Sequence, residues 1–503
     1  MTLSIRRLVS NPERRSPLNM SLFSVKVLVN SLLFFAVLAH SQAPKSVFDS
    51  KGMVASRSAI ASEVGAKILA SGGNAIDAAV SVGFALAVTY PSAGNLGGGG
   101  FMVIRLANGQ VVANDHREKA PGRATRDMYL DANGEIVDGL STKSHLASGV
   151  PGTVAGLIDV LQAYGSMELV EVIQPAIDLA RDGFILDEDL AGQFKRRLES
   201  FSKYPASLEV FSSDGEPYET GDRFSQPDLA KTLERIKLAG KKGFYTGETA
   251  DLIVAEMKNG GGIISIADLE DYESKWRKPI MGDYRGYKLV SMPPPSSGGV
   301  LLVQMLNMLE PYDLGKLGVG SSEVIHLMIE AERRAYADRA EHLGDSDFYD
   351  VPIETLISKD YARERFSDFD PNKASVSADI FAGVAAKEGL ETTHASVIDA
   401  MGNAVAYTTT LNLSYGSKIV VSGAGFLLNN EMDDFSAKEN SPNAFGLLGR
   451  EANAIEPGKR MLSSMTPTII LKNEKPLLVT GSPGGSTIIT TVLQIVSNVI
   501  DHE

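Results

Sequence analysis

The feature that most constrains this chain is a change of hydrophobic period near residue 392. Before about residue 370 the apolar residues recur mainly at helical spacing, as in "PGTVAGLIDVLQAYG" (151–165) and "SSEVIHLMIEAERRAYADRAEHL" (321–343). From "TTHASVIDAMGNAVAYTTTLN" (392–412) onward the pattern alternates, with Gly402 and Asn403 in the turn of a hairpin. "TPTIILKNEKPLLVTG" (466–481) reads as a second hairpin, and "GSPGGSTIITTVLQIVSNVID" (481–501) passes from a glycine loop into a helix. A polar, weakly patterned joint, 371–390, separates the two regimes.

Upstream, "ASEVGAKILASGGNAIDAAVSVGFALAVTYP" (61–91) predicts two helices. Gly72-Gly73 ends the first, and Asn74 caps the second with Asp77 at its third position. "FMVIRLANGQVVANDHRE" (101–118) predicts two strands around Asn108-Gly109. Helices, strands, a joint, more strands and a last helix predict an α+β fold of antiparallel sheets covered by helices.

Composition narrows the function. A net charge of −14 argues against a general nucleic-acid or anionic-membrane partner. With no cysteine, disulfides, thiolate metal sites and cysteine nucleophiles are excluded. The seven histidines show no zinc spacing, and "DSDFYD" (345–350) lacks the glycine and glutamate of a calcium loop, so no metal is expected. "VLVNSLLFFAVLA" (27–39), preceded by Lys26 and followed by "AHSQA", has signal-peptide length rather than membrane-span length. Residues 1–43 are therefore expected to be removed, with Met20 a candidate start, and no stable membrane span is expected afterwards.

Thr392 opens the alternating run, sharing a strand face with His394 and Ser396. It is either a β-branched strand residue or a nucleophile, and as a nucleophile it needs a base beside it. "NLGGGGFM" (95–102) lacks the lysine of a phosphate loop and leads into a strand, so it reads as a tight backbone crossing. "GSPGGS" (481–486) puts Gly484 and Gly485 at a helix start, where backbone N–H groups can meet developing negative charge; from the residues alone, an ordinary strand-to-helix turn is the stronger reading. Arg117, Asn412, "NNEMDDF" (429–435) and "LSSM" (462–465) add a basic group, acidic groups and hydroxyls suited to a free amino acid's two charged ends, or to caps and surface ion pairs.

Taken in order, "NLGGGGFM", "HREKAP", "HLASGVPGTVAG", "DYRGYKLVSMPPPSSGG", "TTHASVID", "FLLNNEMDDFS", "LSSMTPT" and "GSPGGS" closely resemble the γ-glutamyltranspeptidase family, from about residue 48 to the end. The resemblance implies a four-layer αββα sandwich of N-terminal nucleophile hydrolase type, with an extra helical region in the large subunit. It implies self-cleavage between Glu391 and Thr392, giving a large subunit of 44–391 and a small one of 392–503 that form a heterodimer. The freed α-amino group of Thr392 would be the missing base, with an ordinary pKa of about 7.7–8.0.

The roles it implies are these. Thr392 attacks the γ-carbonyl, Thr410 orients it, and Gly484 and Gly485 stabilise the oxyanion. Arg117, Ser463 and Ser464 hold the α-carboxylate, while Asn412, Glu431 and Asp434 hold the α-amino group. Glutathione and other γ-glutamyl compounds would be donors, and water, amino acids or peptides acceptors. No cofactor is implied, and the expected location is periplasmic or secreted.

Three departures stand out. Phe445 occupies a place where bacterial members commonly carry tyrosine, so a hydroxyl that would latch a lid to Asn412 is missing. Ala395 replaces another common tyrosine. Family members also continue beyond the equivalent of Glu503, so a truncated small subunit is expected. The rival readings are a cephalosporin or glutaryl acylase of the same fold, and a non-catalytic truncated member.

Overall fold

The structure is a computed structural model that describes residues 46–380, 392–439 and 441–502. The signal-peptide region and Glu391 lie outside the described residues. The unit that carries the fold begins at Ser50.

Its principal strands are β1 (Gly52–Ser56), β2 (Gly99–Arg105), β3 (Val111–His116), β4 (Lys275–Arg277), β5 (Ile280–Tyr284), β6 (Tyr287–Ser291), β7 (Thr392–Asp399), β8 (Ala404–Thr410), β9 (Thr468–Lys472) and β10 (Lys475–Thr480). They form two antiparallel sheets, ordered β1-β7-β8-β2-β3-β4 and β10-β9-β6-β5. The principal helices are α1 (Ala59–Ala70), α2 (Ala75–Thr89), α3 (Thr153–Tyr164), α4 (Leu169–Asp182), α5 (Gly298–Leu309), α6 (Ser322–His342) and α7 (Ile488–Asp501).

Strand alternation builds four layers. On β2, Phe101 and Val103 point into a core shared with Ala404 and Ala406 of β8 and with Val290, Ile469 and Leu471 of the other sheet. Met102 and Ile104 point the opposite way, joining α1, α2 and α3 in the largest core. Leu289 and Ile470, on the far face of the second sheet, join α5, α6 and α7. The order is helices, sheet, sheet, helices, as the expected αββα sandwich requires, with further helices between 166 and 270 on the first side.

The two predicted N-terminal helices form, and every residue of α2 is buried. Asn74 accepts from the amides of Ile76 and Asp77, and Asp77 accepts from the Asn74 amide at 2.7 Å, closing a capping box. Asp399, at the end of β7, accepts from the Ala75 amide at 3.0 Å and so ties this helix to the Thr392 strand.

The glycine run is the tight crossing expected from the sequence. A Cβ on Gly97 would lie 2.2 Å from the Leu427 carbonyl oxygen, and one on Gly98 2.2 Å from that of Thr410. The region 150–370 differs from its helical reading in two places, the first a short antiparallel pairing of Phe184–Ile185 with Arg223–Phe224. Strands β4, β5 and β6 interrupt it, and two of them are half of the second sheet. The β5–β6 turn places Arg285 at φ 51° and Gly286 at φ 83°, a backbone pair whose twist suits a two-residue hairpin. Among the described residues no helix is long and apolar enough to cross a membrane.

Candidate active site

Thr392 is the first residue of β7 and lies directly opposite Thr410, the last residue of β8. Their hydroxyl oxygens are 3.5 Å apart, the outer limit of a hydrogen bond. Thr410 Oγ1 also accepts from the Asn412 amide at 2.9 Å, which turns the chain as it leaves the strand; Asn412 sits there at φ 77°. The Asn412 side chain donates to the Asn430 carbonyl at 2.9 Å and so faces the acidic turn Glu431–Asp434.

His394, on the same face as Thr392, is not a base for it. Its ring nitrogens lie 2.8 Å from Thr408 Oγ1 and 3.0 Å from Ser396 Oγ, and burial pushes its pKa down to about 3.

One pocket gathers Arg117, Thr392, Thr410, Asn412, Glu431, Asp434, Ser463, Ser464 and Gly485, with Phe445, Leu447, Met465 and Ile488 completing its wall. These residues come from stretches separated by hundreds of positions, so a role as unrelated caps or surface ion pairs no longer describes them. Gly484 adjoins the pocket through Gly485, at the start of the short turn that leads into α7. Gly485 is at φ 54°, and a Cβ there would meet the Phe445 ring at 2.6 Å.

Arg117 follows β3 and is 1% exposed. Its Nη1 lies 2.6 Å from Glu431 Oε2, its Nη2 2.5 Å from Asp434 Oδ2, and Glu118 Oε2 is 3.6 Å away. Burial opposes its charge, but Glu431, Glu118 and Asp434 outweigh burial and hold the guanidinium above its usual range. Burial in turn raises the three carboxyls against the pull of Arg117: Glu118 to about 8, Glu431 well above the carboxylate range, and Asp434 upward. The group expected to bind a carboxylate is thus paired with two of those expected to bind an ammonium. The cluster is self-neutralised, and the free space beside it is about 20 Å³, room for about one water.

Several residues of the site escape sequence reasoning. Arg339 of α6 is buried and donates to Ser297 Oγ at 3.1 Å and Ser464 Oγ at 3.4 Å, holding one of the pocket hydroxyls. Tyr336, one turn earlier, donates to the Ser486 carbonyl oxygen just after the glycine pair. Asp433 accepts from Ser141 Oγ and from the Ala444 amide, and burial pushes it up to about 6. No helical or strand period marks any of these; their partners lie far away in sequence or within an irregular turn.

Comparison with known proteins gives a consistent result. A family model described as gamma-glutamyltranspeptidase matches residues 61–503. The chain is 54% identical over 454 residues to the glutathione hydrolase proenzyme of Escherichia coli (strain K12), covering 90% of this chain and 78% of that protein. The crystal structure of Helicobacter pylori gamma-glutamyltranspeptidase superposes with a TM-score of 0.66 at 50% identity, over 67% of this chain and 97% of that one. Cephalosporin acylase from Bacillus halodurans superposes with a TM-score of 0.78 at 25% identity, over 92% of this chain and 83% of that one.

Proposed function

Since the chain belongs to the γ-glutamyltranspeptidase family and is an enzyme of the N-terminal nucleophile hydrolase type, we propose that it cuts itself before Thr392 and then transfers γ-glutamyl groups from glutathione and related donors to water, amino acids or peptides. The observation that carries this reading is the single pocket in which Thr392, Thr410 and Gly485 adjoin Arg117, Glu431 and Asp434. One half of it suits acyl transfer, the other an α-amino acid.

In the precursor, the Thr392 hydroxyl attacks the carbonyl carbon of the preceding residue. The amide nitrogen leaves as the α-amino group of Thr392, and water hydrolyses the resulting ester. The cut yields the two subunits, 44–391 and 392–503, of one heterodimer. In turnover, the α-amino group takes the proton of Thr392 Oγ1 as the oxygen adds to the donor's γ-carbonyl. Thr410, 3.5 Å away, orients the hydroxyl. The backbone N–H groups of Gly484 and Gly485 stabilise the oxyanion. Collapse of the tetrahedral species expels the donor's amine with the transferred proton and leaves a γ-glutamyl ester on Thr392. Water or an acceptor amine then attacks that ester and restores the enzyme.

Donor recognition is an exchange of ion pairs. The donor's α-carboxylate takes the Arg117 fork, with Ser463 and Ser464 beside it. Its ammonium takes Glu431 and Asp434, with Asn412 adjoining. Each charge released from the resting pairs meets a new partner, so no buried charge is left uncompensated. An acylase reading is favoured by the cephalosporin acylase likeness, but a glutaryl group brings a carboxylate and no ammonium. It would take Arg117 and leave Asp434, its partner at 2.5 Å, without a cation.

A periplasmic or secreted location is supported by the apolar run at 27–39. Initial rates on γ-glutamyl-p-nitroanilide and glutaryl-p-nitroanilide test the reading: the first donor is expected to be used far better. Equal use, or preference for the glutaryl donor, overturns it.

A further inference from the structure

The pocket is roofed by the segment 441–447, and the hydrogen bonds that hold this roof run to the acidic turn rather than to Asn412. Asn443 Nδ2 donates to Asp434 Oδ1 at 3.1 Å. The Ala444 amide donates to Asp433 Oδ2 at 2.9 Å. Asn443 Oδ1 accepts from the Phe445 and Leu447 amides, both at 3.0 Å, which folds 443–447 into a tight turn and aims the Phe445 ring at Gly485. With about 20 Å³ free beneath it, the pocket admits a glutamyl group only when this turn lifts or the ion pairs below it rearrange.

We propose that Asn443 is a positioning residue that latches the roof to Asp434, so that the same carboxylate holds the donor's ammonium and the closed roof. The inference rests on the γ-glutamyl reading for the ammonium, and on geometry alone for the latch. Asp434 offers two oxygens, with Oδ2 turned to Arg117 and Oδ1 to Asn443. A donor that takes Arg117 away but brings an ammonium keeps Asp434 charged and oriented, and the latch stays closed over the acyl-enzyme. A donor without the ammonium leaves Asp434 with Asn443 as its remaining polar side-chain contact and loosens the roof.

The test is an exchange of partners. Asn443→Asp keeps the acceptor oxygen for the Phe445 and Leu447 amides but sets a carboxylate against Asp434. Adding Asp434→Asn restores a donor–acceptor pair with the roles reversed, and leaves an oxygen for Arg117. The readout is tryptic nicking at Lys438 and Arg450, which flank the roof, followed by intact mass and requiring no substrate. N443D is expected to be nicked about tenfold faster than wild type, the worth of one hydrogen bond to a charged group. The N443D/D434N pair is expected to return to within about twofold of wild type.

Nicking of N443D at the wild-type rate, or nicking of the double variant as fast as N443D, overturns the latch. Should N443D fail to fold, Asn443→Ser, which cannot reach Asp434, is read on the same assay with the same expected acceleration. A second readout is the Michaelis constant of N443D for γ-glutamyl-p-nitroanilide, expected to rise about tenfold with kcat changed less than about threefold. If the wild-type enzyme does not use that donor, the functional reading fails while the nicking result still decides the latch.

Discussion

Replacing Asp434 by asparagine tests its proposed ammonium-binding role by comparing two donors. The amide keeps an oxygen for Arg117 and nearly the same volume; it loses the charge, and it loses the acceptor that Asn443 Nδ2 reaches at 3.1 Å, a loss both donors share. For a γ-glutamyl donor, the buried ammonium then faces a neutral group. Removing one partner of a buried, hydrogen-bonded charge pair costs about 2–5 kcal/mol. At about 1.4 kcal/mol per tenfold, kcat/KM falls by about 30-fold to a few thousandfold. A glutaryl donor behaves differently. In the wild-type pocket it draws Arg117 from its 2.5 Å contact with Asp434 and supplies no cation in exchange. Asp434→Asn removes that stranded charge, which offsets the shared loss of the Asn443 contact, so glutaryl turnover falls far less than γ-glutamyl turnover.

The ratio of the two kcat/KM values is therefore expected to shift by at least about 30-fold toward glutaryl. The assay uses γ-glutamyl- and glutaryl-p-nitroanilide with equal amounts of fully cut enzyme. Equal losses on both donors would refute the ion-pair exchange, because they would mean that Asp434 supports the pocket without reading the ammonium.

Two further substitutions probe other parts of the account. Gly485→Ala puts a Cβ at φ 54° and 2.6 Å from the Phe445 ring; kcat of the cut enzyme is expected to fall on the order of 10²-fold, and an unchanged kcat excludes this glycine from the oxyanion site. Glu118 is pushed by burial to about 8, against about 4.3 for an ordinary glutamate. The folded state holds its proton more tightly than the unfolded one, so wild-type stability contributed by this group declines as pH rises between those values. Glu118→Gln is expected to flatten the fall in melting temperature between pH 5 and 8, and parallel curves would contradict the burial argument.

Much of this site was legible because its residues obey local rules. The hairpin 392–410 alternates cleanly, and the pairing of Thr392 with Thr410 follows from where its turn lies. The run 97–100 consists of glycines because the crossing backbones leave no room for a Cβ, and that steric reading needs no knowledge of the fold. The capping box at Asn74 and Asp77 is equally local.

What escaped was set by tertiary structure. Strands β5 and β6 are short, five residues each, and sit in a region whose neighbours are helical, so only the Arg285-Gly286 turn marks them. Arg339 reads as one more charge on a polar helix; its partner Ser464 is 125 residues away. The pairing of Arg117 with Glu431 and Asp434 spans more than 300 residues, and no spacing rule reaches that far. Asn443 was hidden for a different reason: its contacts with Asp434 and with the Phe445 and Leu447 amides lie in an irregular turn that no period marks.

The central claim is that a peptide bond must break to create the catalytic base, and one measurement tests it most directly. Purified protein is sampled over time after folding, its intact masses and new N-termini are determined, and its γ-glutamyl turnover is measured in parallel, with Thr392→Ala as the comparison. The account predicts two fragments with threonine 392 at the new N-terminus, activity that rises in proportion to the cut fraction, and a Thr392→Ala chain that stays whole and inactive. A wild-type chain that turns over donor while uncut, or that is cut at another bond and is active, would contradict it.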